Sequence, residues 1–330
     1  MLSISPSRPR TLVQATLLVL LSLAACGRGT KSNADGDGTG PRGAAQATIP
    51  AEIWTEFNGT LAMEAVKQQV ALGPRPAGSP ALAQAREKII ASLSACGWTP
   101  EAQTFQADTP YGPVPMTNLI ARFSAKKGQA PDLTAQMALV ASHYDTKKFT
   151  TISFVGANDG ASSTGALLEL ARVLAKDPAL AAKIELVFFD GEEAVQQFTE
   201  RDGLYGSRYY ASHLRESGRN TQFKFGILWD MIGDKDLTVT LPLDSPKELT
   251  QGVLGSADAL QARQFFRIFD RPMLDDHVPL NQIAKIPTLD VIDFEYNAWH
   301  TADDTLEQLS PASLQTIGAV TLHYLSSTLR

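Results

Sequence analysis

The run Ile184-Glu185-Leu186-Val187-Phe188-Phe189 passes directly into Asp190-Gly191-Glu192-Glu193, and this junction constrains the fold more than any other stretch. Residues that are apolar, aromatic or β-branched at nearly every position predict a strand buried on both faces of a parallel or mixed sheet. In open α/β sheets the carboxyl ends of such strands face a crevice. Glu192 and Glu193 would therefore stand on a rigid strand end, with Gly191 permitting a tight turn. Adjacent glutamates point in different directions, which suits one carboxylate to a metal and the other to proton transfer. A solvated acidic loop is the competing reading, so the choice depends on partners elsewhere in the chain.

Residues 1–26 read as a lipoprotein-type signal. Arg8 and Arg10 precede an apolar stretch from Ala15 to Leu21, too short to favour a membrane span, and Leu23-Ala24-Ala25-Cys26 closes it. That closing tetrapeptide resembles a bacterial lipobox, in which the cysteine becomes an acylated first residue and anchors the protein to a membrane. An ordinary cleaved signal with an incidental Cys26 is the other reading. The expectation is a protein secreted across the inner membrane and held as a periplasmic or cell-envelope lipoprotein. Gly27 carries no acidic retention signal, which points to the outer membrane. An acylated Cys26 would leave Cys96 alone, without an intrachain disulfide.

Residues 27–47, with glycines at 27, 29, 36, 38, 40 and 43, cannot build a core and read as a flexible tether. Residues 48–330 then have the mixed α/β pattern of one large domain with a substantial core. The formal net charge is −6. Removing residues 1–26, which hold two arginines and no acids, makes it −8. An acidic chain without basic clusters is a poor candidate for binding nucleic acid, and no nucleic-acid partner is expected. The oligomeric state is open, with a monomer favoured.

A helical spacing runs from Trp54 to Leu72. After the Gly73 to Pro80 interruption, Ser79 reads as the N-cap of a helix over 80–96 that stops at Gly97. Strands are expected at Met116–Phe123, Met137–Ser142, Ile184–Phe189, Phe225–Trp229, Leu237–Leu241 and Thr288–Asp293. Helices are expected at Ser163–Ala175 and Leu204–Glu216, with a last one opened by Ser310-Pro311. The alternation predicts an α/β sandwich with a central mixed, mostly parallel sheet flanked by helices.

Further polar residues fall where these strands end. His143 and Asp145 are two apart on an extended segment and share a face, an arrangement that suits zinc. Asp159 sits at a helix entrance, where an N-cap role and metal ligation are both open. Asp230 follows Phe225–Trp229, in the position Glu192 has after its own strand. Trp299-His300 follows the strand near Asp293.

Together these give the order His143-x-Asp145, Asp159, Glu192-Glu193, Asp230, His300, which resembles the zinc aminopeptidase-like superfamily over about 250 residues. Within it the chain is most similar to the animal-type, zinc-dependent glutaminyl-peptide cyclotransferases. The matching stretches are Gly73-Pro74-Arg75 with Gly78-Ser79-Pro80, His143-Tyr144-Asp145, Phe154 to Ala157 before Asp159, Phe188 to Ala194, Leu204 to Arg208, Asp275 to Pro279, and Trp299-His300-Thr301 with Asp303-Asp304. The resemblance implies one zinc per chain bound by Asp159, Glu193 and His300. It also implies Glu192 as proton carrier, Asp230 and Asp275 in a supporting acidic network, and Trp299 as a wall of the substrate pocket. The implied substrates are peptides and proteins with an N-terminal glutamine, cyclised to pyroglutamate with release of ammonia in an aminoacyltransferase reaction. Two departures fall beside that site. Asp290 stands where the animal enzymes have a histidine, and Phe198 where they have a second pocket tryptophan, which bears on the network around Asp275 and on pocket packing.

Two rival readings follow from the same residues. A zinc-dependent aminopeptidase would use His143 and Asp230 for a second metal. A catalytically dead lipoprotein that binds peptides would show a broken ligand or a missing base, and the sequence has neither.

Overall fold

The structure of the protein, a computed structural model, describes residues 50–330 apart from Glu200. The signal segment, the tether and Cys26 lie outside the described residues. Among the described residues there are eight strands: β1 (Thr99–Thr109), β2 (Gly112–Arg122), β3 (Ala138–His143), β4 (Ile184–Phe189), β5 (Phe225–Asp230), β6 (Val239–Leu241), β7 (Phe266–Ile268) and β8 (Thr288–Ile292). Six form one sheet in the order β1-β2-β4-β3-β5-β8. The pairs β4/β3, β3/β5 and β5/β8 are parallel, while β1/β2 and β2/β4 are antiparallel. The sheet is therefore mixed and mostly parallel, with helices on both faces.

The inner strands β3, β4 and β5 are buried at every residue, as their apolar runs require. Their side chains divide between two cores with a period of two. Val140, Leu186, Phe188, Ile227 and Trp229 face the larger core, which also takes apolar residues of helices Gly59–Val70, Pro80–Ala95, Ala161–Leu174, Lys247–Ala259 and Pro311–Leu329. Leu139, Ala141, Val187, Phe189 and Leu228 face a smaller core with Tyr210 and Leu214 of helix Tyr205–Glu216. Glu185 interrupts the apolar run of β4 and is fully buried. It is neutralised by Arg122 at 2.5 Å and Arg219 at 2.9 Å, and the Tyr210 hydroxyl donates to it, as a carboxylate in an interior must be.

Several boundaries differ from the sequence reading for local reasons. The expected helix over Trp54–Leu72 is a 3-10 turn (Ile53–Glu56) followed by a separate helix from Gly59. Asn58 breaks the run by accepting from Thr60 N and Leu61 N with its side chain, and side-chain capping of this kind starts a new helix. Leu237–Leu241 contracts to β6, which pairs with β7 off the main sheet. The unanticipated β1 is an edge strand whose polar residues are mostly exposed. It is held by an eleven-residue register against β2 rather than by an apolar face. Ser79 and Ser310 cap their helices as expected. Among the described residues no helix is long and apolar enough to cross a membrane.

Because β3 lies between β4 and β5, the chain leaves β3 for one neighbour and later returns to its other side. The carboxyl ends of β3, β4, β5 and β8 open on one crevice, where His143 pairs with Phe189 and Asp230 with Ile292. Such a reversal of strand order is where open α/β sheets bind ligands.

Candidate metal and active site

Two buried aspartates set the backbone of this crevice. After β4, Gly191 adopts φ +70°, and an added Cβ would come within 2.4 Å of Met116 Sδ, so both conformation and space demand glycine. The two amides that follow, Glu192 N and Glu193 N, donate to Asp145 Oδ1 at 3.2 Å and Oδ2 at 3.3 Å. Asp145 also lies 3.4 Å from His143 Nδ1, as its spacing suggested. Its larger task is to hold the glutamate pair. On the other side, Asp304 accepts from Asn158 N at 2.8 Å and Asp159 N at 3.2 Å, and is itself fixed by the Tyr296 hydroxyl at 2.7 Å.

Asp159 does not cap the following helix. The N-cap is Gly160, at φ +86°, with no side-chain cap bond. The Asp159 carboxylate is thereby free to meet His300, whose Nε2 lies 3.3 Å from Asp159 Oδ2 and 3.2 Å from Glu193 Oε1. His300 itself is held at φ +55°, an uncommon conformation for a residue with a side chain and one that persists where surroundings impose it. Those surroundings are Trp299, stacked on its ring at 4.2 Å, and the edges of Phe149 and Phe154, each at 5.7 Å.

One ligand atom from each of Asp159, Glu193 and His300 lies within 4.8 Å of the others. Bonds of about 2.0–2.1 Å to a tetrahedral zinc place neighbouring ligands ~3.3 Å apart, which the two His300 contacts match. Asp159 Oδ2 is also buried without a hydrogen bond. Two carboxylates, one imidazole and an orphaned oxygen on a cavity wall fit a zinc site. The electrostatics agree that the position calls for positive charge. Burial opposes ionisation of Asp159, yet the His143 and His300 contacts outweigh it and hold its pKa well below the usual range. Burial likewise disfavours charged His300, but Asp159 and Glu193 raise its pKa to about 9.

His143 makes a second, overlapping group, with Nε2 3.2 Å from both Asp159 Oδ1 and Asp230 Oδ1. Burial works against its charged form, but Asp230, Asp145 and Asp159 outweigh it and raise its pKa well above the ordinary value. His143 is 1% exposed and does not line the cavity, whereas Asp159, Glu193 and His300 do.

That cavity has a volume of about 220 Å³. Glu192, Asp230 and Asp275 share it with the metal-type triad, while Trp299, Phe198, Phe294, Met231, Met273 and Ile292 supply apolar walls. Burial above all raises the pKa of Glu192 well beyond the carboxylate range. His143 lowers it, and Glu193, Asp275 and Asp276 raise it further. Trp299 is 39% exposed and tilts against Phe294 at 5.0 Å, so it forms the rim. Asp290 is the exception among the residues expected at the pocket. The structure places it behind the wall, fully buried on β8, because its position in the strand turns it inward.

The sequence reading gave no role to Asp304 or Arg75. Asp304 stands four residues after His300, and only its buried pairing with the Asp159 loop distinguishes it from a surface acid. Arg75 is fully buried and donates to the carbonyls of Val155 at 2.8 Å and Gly156 at 3.3 Å, supporting the same loop from below. Burial lowers its pKa to about 10 despite the nearby acids Asp145, Asp304 and Asp159. Its setting in a Gly-Pro-rich break carries no periodicity from which burial could be read.

Residues 118–325 match peptidase family M28. A glutaminyl-peptide cyclotransferase-like protein of Bos taurus is 31% identical over 284 residues, covering 77% of this chain and 72% of that protein. Among solved structures, a glutaminyl cyclase of an Acidobacteriales bacterium superposes with a TM-score of 0.75 at 32% identity, covering 87% of this chain and 99% of the other. A Zn-dependent exopeptidase from Parabacteroides distasonis gives a TM-score of 0.71 at 25% identity, covering 84% and 99%.

Proposed function

The chain belongs to peptidase family M28 and, within it, to the glutaminyl-peptide cyclotransferases, and from that premise we propose that it cyclises the N-terminal glutamine of peptides and proteins to pyroglutamate as a zinc-dependent aminoacyltransferase. The observation that carries this reading is the cavity of about 220 Å³. It has Glu192 and the Asp159, Glu193 and His300 cluster inside it and Trp299 on its rim. The proton carrier, the ligand cluster and the aromatic rim thus face one space, in which a glutamine side chain folded on its own amine would meet all three.

Asp159, Glu193 and His300 would hold one zinc ion, which when bound polarises the side-chain carbonyl of the glutamine. Glu192 accepts a proton from the substrate α-amine. The freed lone pair attacks the γ-carbonyl carbon, Glu192 delivers its proton to the side-chain amide nitrogen, and the bond to that nitrogen breaks to release ammonia. A carboxylate whose pKa is raised toward neutrality suits both halves of that exchange. Asp230 and Asp275 flank Glu192 as a supporting acidic network, Asp275 by raising its proton affinity. Trp299 and Phe198 form walls that favour the folded conformer of the substrate over extended ones.

The group His143, Asp159 and Asp230 favours the rival, a two-metal aminopeptidase. Against it, His143 is sealed from the cavity that Asp159, Glu193 and His300 line. The two readings separate on substrate preference. Ammonia release from Gln-initiated peptides, with no cleavage of Leu-initiated ones, supports the cyclase, and the reverse pattern supports the peptidase.

Trp299→Ala is expected to weaken both binding and turnover of Gln-initiated peptides while leaving bound metal unchanged, because it removes the wall and not a ligand. Steady-state kinetics with metal analysis check this, and unchanged kcat and KM would remove Trp299 from substrate binding.

For the segment outside the described residues, we propose acylation at Cys26 and anchoring at the outer membrane of the cell envelope. Cys26→Ser should move the protein from the membrane fraction to the soluble one. A Cys26→Ser protein that stays with membranes would contradict the anchor.

A further inference from the structure

The cavity wall at Phe198 stands on a loop that has little of its own to hold it in place. Between β4 and the helix Tyr205–Glu216 the described residues form no helix or strand. Val195 and Phe198 are the only large apolar side chains in residues 195–203, so the stretch cannot fix its shape by burying apolar surface. It is gathered around one carboxylate instead. Asp202 is 4% exposed and accepts from Val195 N at 2.7 Å through Oδ1, and from Gln196 N and Gln197 N, both at 2.9 Å, through Oδ2. The Tyr205 hydroxyl adds a fourth bond at 2.9 Å. Burial opposes the charge of Asp202, but the three amides and the hydroxyl outweigh it and hold its pKa below the usual carboxylate value.

The place of Phe198 follows from that clamp. It comes next in the chain after the three bound amides, and Thr199 N then donates to Asp202 O at 3.0 Å while Asp202 N donates to Thr199 Oγ1 at 3.1 Å. Gly203, at φ +100°, lies so close to the Phe198 ring that an added Cβ would come within 2.7 Å of its Cδ1 and Cε1. The Lys147 ammonium sits over the ring, 5.1 Å from its centroid, and donates to Ala194 O at 2.7 Å. The base of the loop closes on the proton carrier, because Leu204 N donates to Glu192 O at 2.7 Å and Tyr205 N to Gly191 O at 2.8 Å. Phe198 lines the cavity, and Asp202 does not.

We propose that Asp202 is a positioning residue for the substrate pocket: it holds Phe198 as a wall against the folded glutamine, and so sets substrate affinity without touching the substrate. The proposal rests on the cyclase reading for its substrate, while the clamp itself stands on geometry alone. Removing the carboxylate would leave three amides without their acceptor, and they would turn to water. With no apolar area to restrain it, the loop would open and carry Phe198 away from the cavity. A misplacement of about 1 Å in a group that positions substrate can cost ~10²-fold. The metal ligands keep their own supports, Glu193 N on Asp145 and Asp159 N on Asp304, so metal binding should be unaffected.

The test is a double-mutant cycle on the zinc-loaded protein, read by steady-state kinetics on a Gln-initiated peptide. Asp202→Asn turns an NH2 group toward at least one of the three amide donors. It should lower kcat/KM by ~10–10²-fold, chiefly through KM, at wild-type metal content. Phe198→Ala should show the same division between KM and kcat, and the double variant should be no worse than the poorer single one. An Asp202→Asn protein with wild-type KM would overturn the proposal. So would losses that multiply in the double variant, because Asp202 would then act by a route other than Phe198. Amide hydrogen exchange on the wild type covers the case in which Asp202→Asn does not fold. Val195, Gln196 and Gln197 should be protected, and exchange of these amides at the rate of an unstructured chain would overturn the clamp. Exchange does not depend on the reaction catalysed, so the clamp and the cyclase reading can fail separately.

Discussion

Glu192→Gln is expected to keep the fold and the bound metal yet lose turnover by ~10²–10⁴-fold, the usual contribution of a general acid-base group. The amide is nearly isosteric and still occupies the position set by the Asp145 clamp on its backbone, but it cannot carry a proton. In the wild type the base must be ionised before it can accept from the amine. Because burial raises the Glu192 pKa well above the ordinary carboxylate value, activity should fall as pH drops through that raised value, at a higher pH than an exposed glutamate would impose. Single-turnover rates across pH for both proteins check this. Near-normal turnover in Glu192→Gln would take Glu192 out of the mechanism.

Removing the cavity metal should cost still more. Charge stabilisation worth several kcal/mol corresponds to a loss beyond ~10³-fold, so chelation is expected to abolish turnover and readdition of zinc to restore it. His300→Ala should behave like the chelated protein. The metal must displace a proton from His300, whose pKa in the metal-free protein is raised to about 9. Apparent zinc affinity should therefore rise with pH until about 9 and level off above it. Calorimetric titration at several pH values reads this directly, and an affinity independent of pH, or full activity in chelator, would contradict the ligand assignment.

Much of this site is legible in the sequence because strand ends are legible. A fully apolar six-residue run such as β4 has one fate in a mixed sheet, and the acids that follow it must stand at the crevice. The same logic applies to His143 and Asp230. Asp159 is different: its place at a helix entrance suits a cap equally well, and only the family pattern pointed to a ligand. The structure gives the cap position to Gly160 and places the Asp159 carboxylate beside His300. Asp304, Arg75 and the second duty of Asp145 are not legible, since each works through backbone groups far away in the chain. Edge strand β1 escapes for the converse reason, that it needs no apolar face of its own when β2 supplies its hydrogen bonds. Asp290 shows a further limit, because a residue aligned with a pocket position can lie behind the wall once the strand's alternation turns it inward.

The most direct measurement is mass spectrometry of a peptide beginning with glutamine after incubation with the zinc-loaded protein. Cyclase and peptidase would both receive a free α-amine beside a metal, and they differ in which carbonyl is attacked. Attack of the amine on its own side chain expels ammonia, so the account predicts a single product lighter by ~17 Da with every residue retained. Free glutamine together with a peptide shortened by one residue would contradict it.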